Sequence, residues 1–359
     1  MPEYVRPEPS HNCKKVTYIG GFSPTKGAAV GVGLCLLLAG CRAGYVAKVG
    51  LEHLRYVNSA VPIEQLLLDT DDEERRGQLT LILEARAWGG RNGLDVGGSY
   101  RSLADTKGRA TAHVVTAAYS DRLEPYEWSY PIVGKIPYRG YFEREAADRF
   151  AATLSARGLD TYVVEASGYS TLGWFDDPFP EGVLELDRVG IVSFLFHELL
   201  HQTVYVPGSI AFNESLASAV SGRLTNEFFT ERRDEEALEL LAQRELRWLA
   251  QAGLCDDLAR RLTRHFETSK KGQGRKAILS AALPELRRLQ LVREARSGEP
   301  DPELNNAWFL AVWRYRRGAR ELVDYLAGFE SVGLAIADVR VRVEGADDPY
   351  AALPGSPPS

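Results

Sequence analysis

The chain has 359 residues, with 43 Lys and Arg against 49 Asp and Glu for a formal net charge of −6. That acidic balance, with no basic stripe interleaved with aromatics, excludes a general nucleic-acid binder. A content of 45% hydrophobic and 26% charged residues excludes a disordered or fibrous chain and fits an ordinary globular enzyme.

At the amino end, Lys14, Lys15 and Lys26 precede an apolar run over residues 28–38, which closes on Leu38-Ala39-Gly40-Cys41. Positive residues, a short apolar segment and small residues before a cut site describe a secretory signal, and the cysteine directly after them makes it a bacterial lipoprotein signal. Residues 1–40 are therefore expected to be removed, leaving Cys41 acylated and anchored to a membrane of the bacterial cell envelope on its periplasmic face. Arg42 after the cysteine fits outer-membrane sorting. The apolar run is far short of the ~20 residues of a spanning helix. Cys13 and Cys35 fall in the removed segment, so Cys255 is left without a disulfide partner, and a buried apolar role suits it.

In the mature chain, residues 44–68 read as a helical arm and 71–88 as an amphipathic helix, broken by Gly89, Gly90, Gly93, Gly97 and Gly98. Residues 111–119 have the β-branched content of a strand. The block around Pro131 and Pro137 reads as loop and short strand, 142–156 as helix, and 160–166 as strand, continued by an extended stretch at 167–173. After residue 185 the pattern is helical throughout, and from 345 the Pro and Gly content reads as a disordered tail. These elements predict one α+β domain over 41–344, mostly helical, with an α/β part at 41–184 and a helical part at 185–344.

The chemistry concentrates in His197-Glu198-Leu199-Leu200-His201. Residues four apart share a helix face, so both imidazoles can meet one metal ion, while Glu198 sits beside the open coordination position where a water binds. Val189, Ile191, Val192, Phe194, Leu195, Phe196, Leu199 and Leu200 leave this helix almost no polar face. Polar groups buried there are costly unless something satisfies them, and Zn2+ would. Catalytic zinc takes three protein ligands. Glu214 is the preferred third: Gly208 can end the first helix, Ser209 or Asn213 can start a second, and Ala217, Ser218 and Ser221 on the side of Glu214 allow close packing. His265, Glu227 and Glu231 are weaker substitutes. Imidazole and carboxylate ligands also admit other divalent ions.

Residues 197–223, HELLHQTVYVPGSIAFNESLASAVSGR, resemble the signature of a bacterial family of predicted aminopeptidases, lipoprotein-like members of the gluzincin class of metallopeptidases. The likeness extends to 130–142 (YPIVGKIPYRGYF), 169–179 (YSTLGWFDDPF) and Asn305-Asn306-Ala307. It implies zinc-dependent peptide hydrolysis with His197, His201 and Glu214 as ligands and Glu198 as the catalytic base. It also implies a zincin-like order, with a small mixed sheet before the metal helix and a helical half after it.

On that comparison, the 168–174 stretch is expected to be an edge strand that pairs with a peptide backbone, with Gly173 permitting close approach and Trp174 shaping a pocket. The oxyanion formed on attack needs a donor, for which Tyr205, Tyr315 and Arg139 are candidates. Tyr205 lies four residues past His201, on the metal face if the helix lasts that far. Asp176, Asp177 and Glu165 could bind a substrate amine. Asn305 or Asn306 could orient a histidine, although helix capping explains them nearly as well. The resulting expectation is a lipid-anchored zinc peptidase acting on a peptide substrate. The alternatives are a zinc endopeptidase or amidase acting on cell-wall peptides, or an envelope lipoprotein whose zinc site only braces a binding surface.

Overall fold

A computed structural model describes residues 56–105, 112–130, 134–166, 176–268, 274–292 and 303–353. The signal segment, Cys41, Gly173 and Trp174, and with them the expected edge strand, lie outside the described residues. The described residues all belong to one compact unit, Leu51–Ser359. As the residue pattern implied, the chain is mostly helical, with small sheets ahead of the helix that carries the paired histidines.

In chain order the elements are β1 (Val61–Pro62), α1 (Ile63–Asp69), α2 (Glu73–Arg91), β2 (Ser102–Ala104), β3 (Ala112–Tyr119), β4 (Trp128–Tyr130), β5 (Gly134–Ile136), β6 (Tyr138–Tyr141), α3 (Arg144–Ser155), β7 (Leu159–Ala166) and β8 (Phe179–Pro180). A short 3-10 turn then leads into α4 (Arg188–Thr203), which carries the paired histidines. There follow α5 (Ile210–Glu231), α6 (Glu235–Thr268), α7 (Arg275–Ala281), α8 (Leu283–Arg288), α9 (Asn306–Trp313), α10 (Ala319–Ala327) and α11 (Val332–Val343).

The strands form a mixed sheet β1-β2-β8, an antiparallel sheet β6-β3-β7 and the hairpin β4-β5. In the second sheet, Val115 pairs with Arg139 and Thr116 with Tyr138. Residues directly opposite each other share a face, so Val115 and Arg139 look one way and Thr116 and Tyr138 the other. The Val115 face packs with Trp128 and with Ala147, Ala151 and Leu154 of α3. On β3 also rests α9, which closes the sheet towards the helical half.

Three expectations need correction. The arm read as helix over 44–68 is interrupted at Val61–Pro62, which forms strand β1 against Leu103 and Ser102. Helix α2 runs through Gly89 and Gly90 to Arg91 instead of breaking at them. A Cβ on Gly89 would stand 3.0 Å from both Leu94 and Phe196, so this glycine allows α2 to lie close against α4. The stretch from 345 is not a tail as far as 353, because Tyr350 and Leu353 are buried in the main core, with the Tyr350 ring set edge-on to Phe212 at 5.1 Å.

The main core surrounds α4. Phe196 is fully buried, its ring centroid 5.7 Å from Trp88 of α2 and 6.0 Å from Phe228 of α5. Because this contact joins the histidine-bearing helix α4 to both α2 and α5, Phe196→Ala should cost about 3–5 kcal/mol, read as a lower urea midpoint with an unchanged slope. A loss below about 1 kcal/mol would place the packing elsewhere.

Candidate metal centre

The metal helix begins at Asp187, whose carboxylate accepts the Gly190 amide at 2.9 Å, and stays apolar on nearly every side. It ends at Thr203, whose hydroxyl donates to Leu199 O at 2.8 Å and accepts the Asp95 amide at 2.9 Å. From Val204 the chain is extended, so the helix does not reach Tyr205. The turn back needs Gly208, whose φ of +79° suits glycine, and α5 starts one residue after it and Ser209.

Buried Asn213 then fixes this connection. Its Oδ1 accepts the Val206 amide at 3.0 Å, and its Nδ2 donates to Val206 O at 2.9 Å. The segment bearing Tyr205 is thus tied to the helix turn that bears Glu214. In the sequence Asn213 looked only like a possible helix start; its two-way bond to a backbone seven residues away has no local signature.

Glu214 meets both imidazoles: its Oε2 lies 3.2 Å from His197 Nε2 and 3.5 Å from His201 Nε2. The three ligand atoms all fall within 4.8 Å of one another and could hold a metal ion. Ligands about 2.1 Å from a tetrahedral zinc stand roughly 3.4 Å apart, so the carboxylate-to-imidazole spacings already fit such an ion. Among the described residues, no group hydrogen-bonds the far nitrogen, Nδ1, of His201.

Burial raises the Glu198 carboxylate above its ordinary range; the two imidazoles pull it down and Glu214 pushes it up again. For Glu214 burial works the same way, but His201 and His197 outweigh it and hold the carboxyl well below the usual range. Burial lowers His201, yet Glu214 wins and its imidazolium is favoured above the ordinary value.

Three tyrosines wall the site. Tyr315, just past the end of α9, stacks at 6.3 Å and 28° from the His197 ring, and Trp248 Nε1 holds its carbonyl at 3.2 Å. The Glu214 charge, the largest cause, keeps the Tyr315 phenol protonated far above its ordinary value, although the residue as a whole is 38% exposed. Burial, then Glu214, raises Tyr205 in the same way, and the stronger burial of Tyr138 raises that phenol as well. Tyr205 therefore reaches the centre from the extended segment and not from the helix. Tyr138 was overlooked in the sequence, although it lies inside the 130–142 block.

Arg139, its strand neighbour, is not brought to the centre. Its guanidinium lies over Trp128 at 5.4 Å and Phe150 at 5.1 Å, on the opposite sheet face. Most of the other candidates are engaged elsewhere, and the His265 ring lies 5.7 Å from that of Phe266. Glu165 pairs with Arg144, Asp177 packs against Ser99 and Tyr100, Glu227 binds Arg223 and Glu231 accepts the Trp88 indole. Asn305 caps α9 through Trp308 N, and Asn306 donates to Tyr119 O and Arg122 O, so capping and stitching, not histidine orientation, explain both. Burial pushes the Cys255 thiol up to about 12, which makes it inert.

The pKa directions set the stability of the metal-free protein. His201 and Glu198 both sit above their unfolded values, so each lends stability that is full below those values, 6.5 and 4.5, and lost as pH rises through the folded ones. Glu214 sits below 4.5, so its contribution is full above that value and is lost as pH falls from there through the folded one. With chelator present, the melting temperature should therefore fall between pH 5 and about 8, whereas with a divalent metal it should rise, because the ligands must be deprotonated to bind. Parallel curves would contradict the assignment of this cluster as a metal centre.

No curated protein and no solved structure matches the chain. A family model described as "Putative aminopeptidase" matches residues 44–334, which takes in both histidines, Glu198, Glu214 and all three tyrosines. By that match over most of its length, the chain belongs to the "Putative aminopeptidase" family.

Proposed function

We propose that this protein is a zinc-dependent peptidase in which His197, His201 and Glu214 hold the metal and Glu198 is the base. The observation that carries this reading is the convergence of three side chains that could ligate one tetrahedral ion, with the carboxylate of Glu198 next in sequence to His197 and outside that cluster. When bound there, zinc supplies a Lewis acid that polarises a carbonyl and acidifies a water.

Glu198, raised by burial, takes the proton from the attacking water and returns it to the leaving amine. Tyr315 keeps its phenolic proton and stands over His197, so it can donate to the oxyanion as charge develops. Tyr205 lies on the Glu214 side and can share that work. A site that only braced a surface would have no use for Glu198 and would close its fourth position with another ligand.

The same reading places the protein in the bacterial cell envelope, held at a membrane by lipid on Cys41, with peptides as substrates. The 168–174 stretch, with Gly173 and Trp174, is proposed as the strand that receives the peptide backbone.

The test is metal content and cleavage of a mixed peptide library by the full chain in detergent, beside Glu198→Gln. Near-stoichiometric zinc in both, with turnover lower by about 10²–10⁴-fold in the variant, is the expected result. Zinc-free folded protein, or equal turnover in the two, would refute the mechanism. Tyr315→Phe should lower kcat by roughly 10²-fold with little change in KM. If Tyr205→Phe does so instead, the donor is the other tyrosine.

A further inference from the structure

Arg314 is a charge at the metal centre that the proposed chemistry leaves unused. It sits at the C-terminal cap of α9, 8% exposed, with its guanidinium 5.2 Å over the ring of Tyr138. Its backbone is held from both sides: the amide donates to Leu310 O at 3.1 Å, and the carbonyl accepts from Ser215 Oγ at 2.9 Å, next to the ligand Glu214. Its charge is felt by Tyr138 and Tyr315, the same two phenols that feel Glu214 and Glu198.

Among the described residues, no carboxylate, carbonyl or side-chain oxygen pairs with this guanidinium. Its nitrogens nevertheless keep contact with solvent, since none of them is among the sealed polar atoms. The contrast with Arg316, two residues on, is direct: that guanidinium is satisfied by Gln251 Oε1 at 3.0 and 2.9 Å. A largely buried, unpaired cation is costly, and its planar fork matches a carboxylate in two hydrogen bonds.

The carboxylates at the centre, Glu198 and Glu214, are committed to base and ligand. The charge left for recognising substrate is therefore positive, and neither Glu165, paired with Arg144, nor Asp177, packed against Ser99 and Tyr100, is brought in to bind an amine. We propose that Arg314 is an anion subsite of the metal cleft that receives a substrate carboxylate, so that the preferred substrates are short peptides bearing a carboxylate within a residue or two of the scissile bond. Two sources supply that group: the α-carboxylate of a dipeptide or tripeptide, or an Asp or Glu side chain. The proposal rests on the peptidase reading and names its substrate class.

The experiment uses four probes: Ala-Leu, its carboxamide, Ala-Glu carboxamide and Ala-Gln carboxamide. Binding is measured by titration calorimetry to full-chain Glu198→Gln loaded with zinc, and cleavage is measured with the unaltered protein. One charge-assisted pair predicts roughly 10- to 100-fold tighter binding of Ala-Leu than of its carboxamide, or of Ala-Glu carboxamide than of its Gln counterpart. Whichever pair shows the preference identifies the source. Adding Arg314→Gln should bring that ratio close to one, and Arg314→Lys should restore part of it, with melting temperature and zinc content reporting that each variant folds. Equal binding within both pairs overturns the subsite even if all four probes are cleaved. Preference that vanishes in Arg314→Gln, without cleavage by the unaltered protein, upholds the subsite and refutes the peptidase reading. Absence of binding by any probe overturns the subsite, and a preference that survives Arg314→Gln assigns it to another residue.

Discussion

The structure around the centre depends on one buried carboxylate gripping two imidazoles. Glu214 sits between His197 and His201 where α4 and α5 pack through buried apolar side chains, and a polar group there is tolerated only when its partners are within reach. That requirement sets the spacing of α4 and α5, and with it the need for small residues where the helices meet. Ala217 is fully buried, while Ser218 and Ser221 return their hydroxyls to their own helix carbonyls at 2.8 and 3.1 Å. The Asn213 bridge to Val206 follows from the same demand, since the connection must be held at the length that sets Glu214 opposite the histidines.

The second contribution comes from far along the chain. Helix α9 is fixed at its start by Asn306, which binds the turn after β3, and by Asp160, whose carboxylate accepts the Asn306 amide at 3.0 Å. Its other end delivers Arg314 and Tyr315 to the centre, where Ser215 and Trp248 hold their carbonyls. The small sheet thus acts as a platform with two faces. One face buries Arg139 among aromatics, and the other offers Tyr138 to the metal centre and receives α9.

Much of this was legible in the sequence where the cause is local. Histidines four apart on an apolar helix must converge, and a carboxylate shortly after a glycine turn on a helix with a small-residue face can reach them. Strand β3 and helices α3 and α4 follow from β-branched content and apolar periodicity. What was not legible depends on register and on distant contacts. Choosing Arg139 over Tyr138 is a one-residue slip across a sheet, which moves a side chain to the opposite face. Gly89 is set by the narrow gap against Phe196 and Leu94, where a Cβ would crowd both, a fact of packing and not of propensity. Tyr350 and Leu353 join the core although the composition around them reads as a tail.

The most direct test of the account is the metal's coordination shell, read by zinc X-ray absorption on the loaded protein. The account predicts four light-atom neighbours at roughly 2.0–2.1 Å, with the multiple-scattering pattern of two imidazoles and one neighbour that exchanges with added inhibitor. A shell with three or more imidazoles, with sulfur, or with no exchangeable position would contradict an open site built from His197, His201 and Glu214.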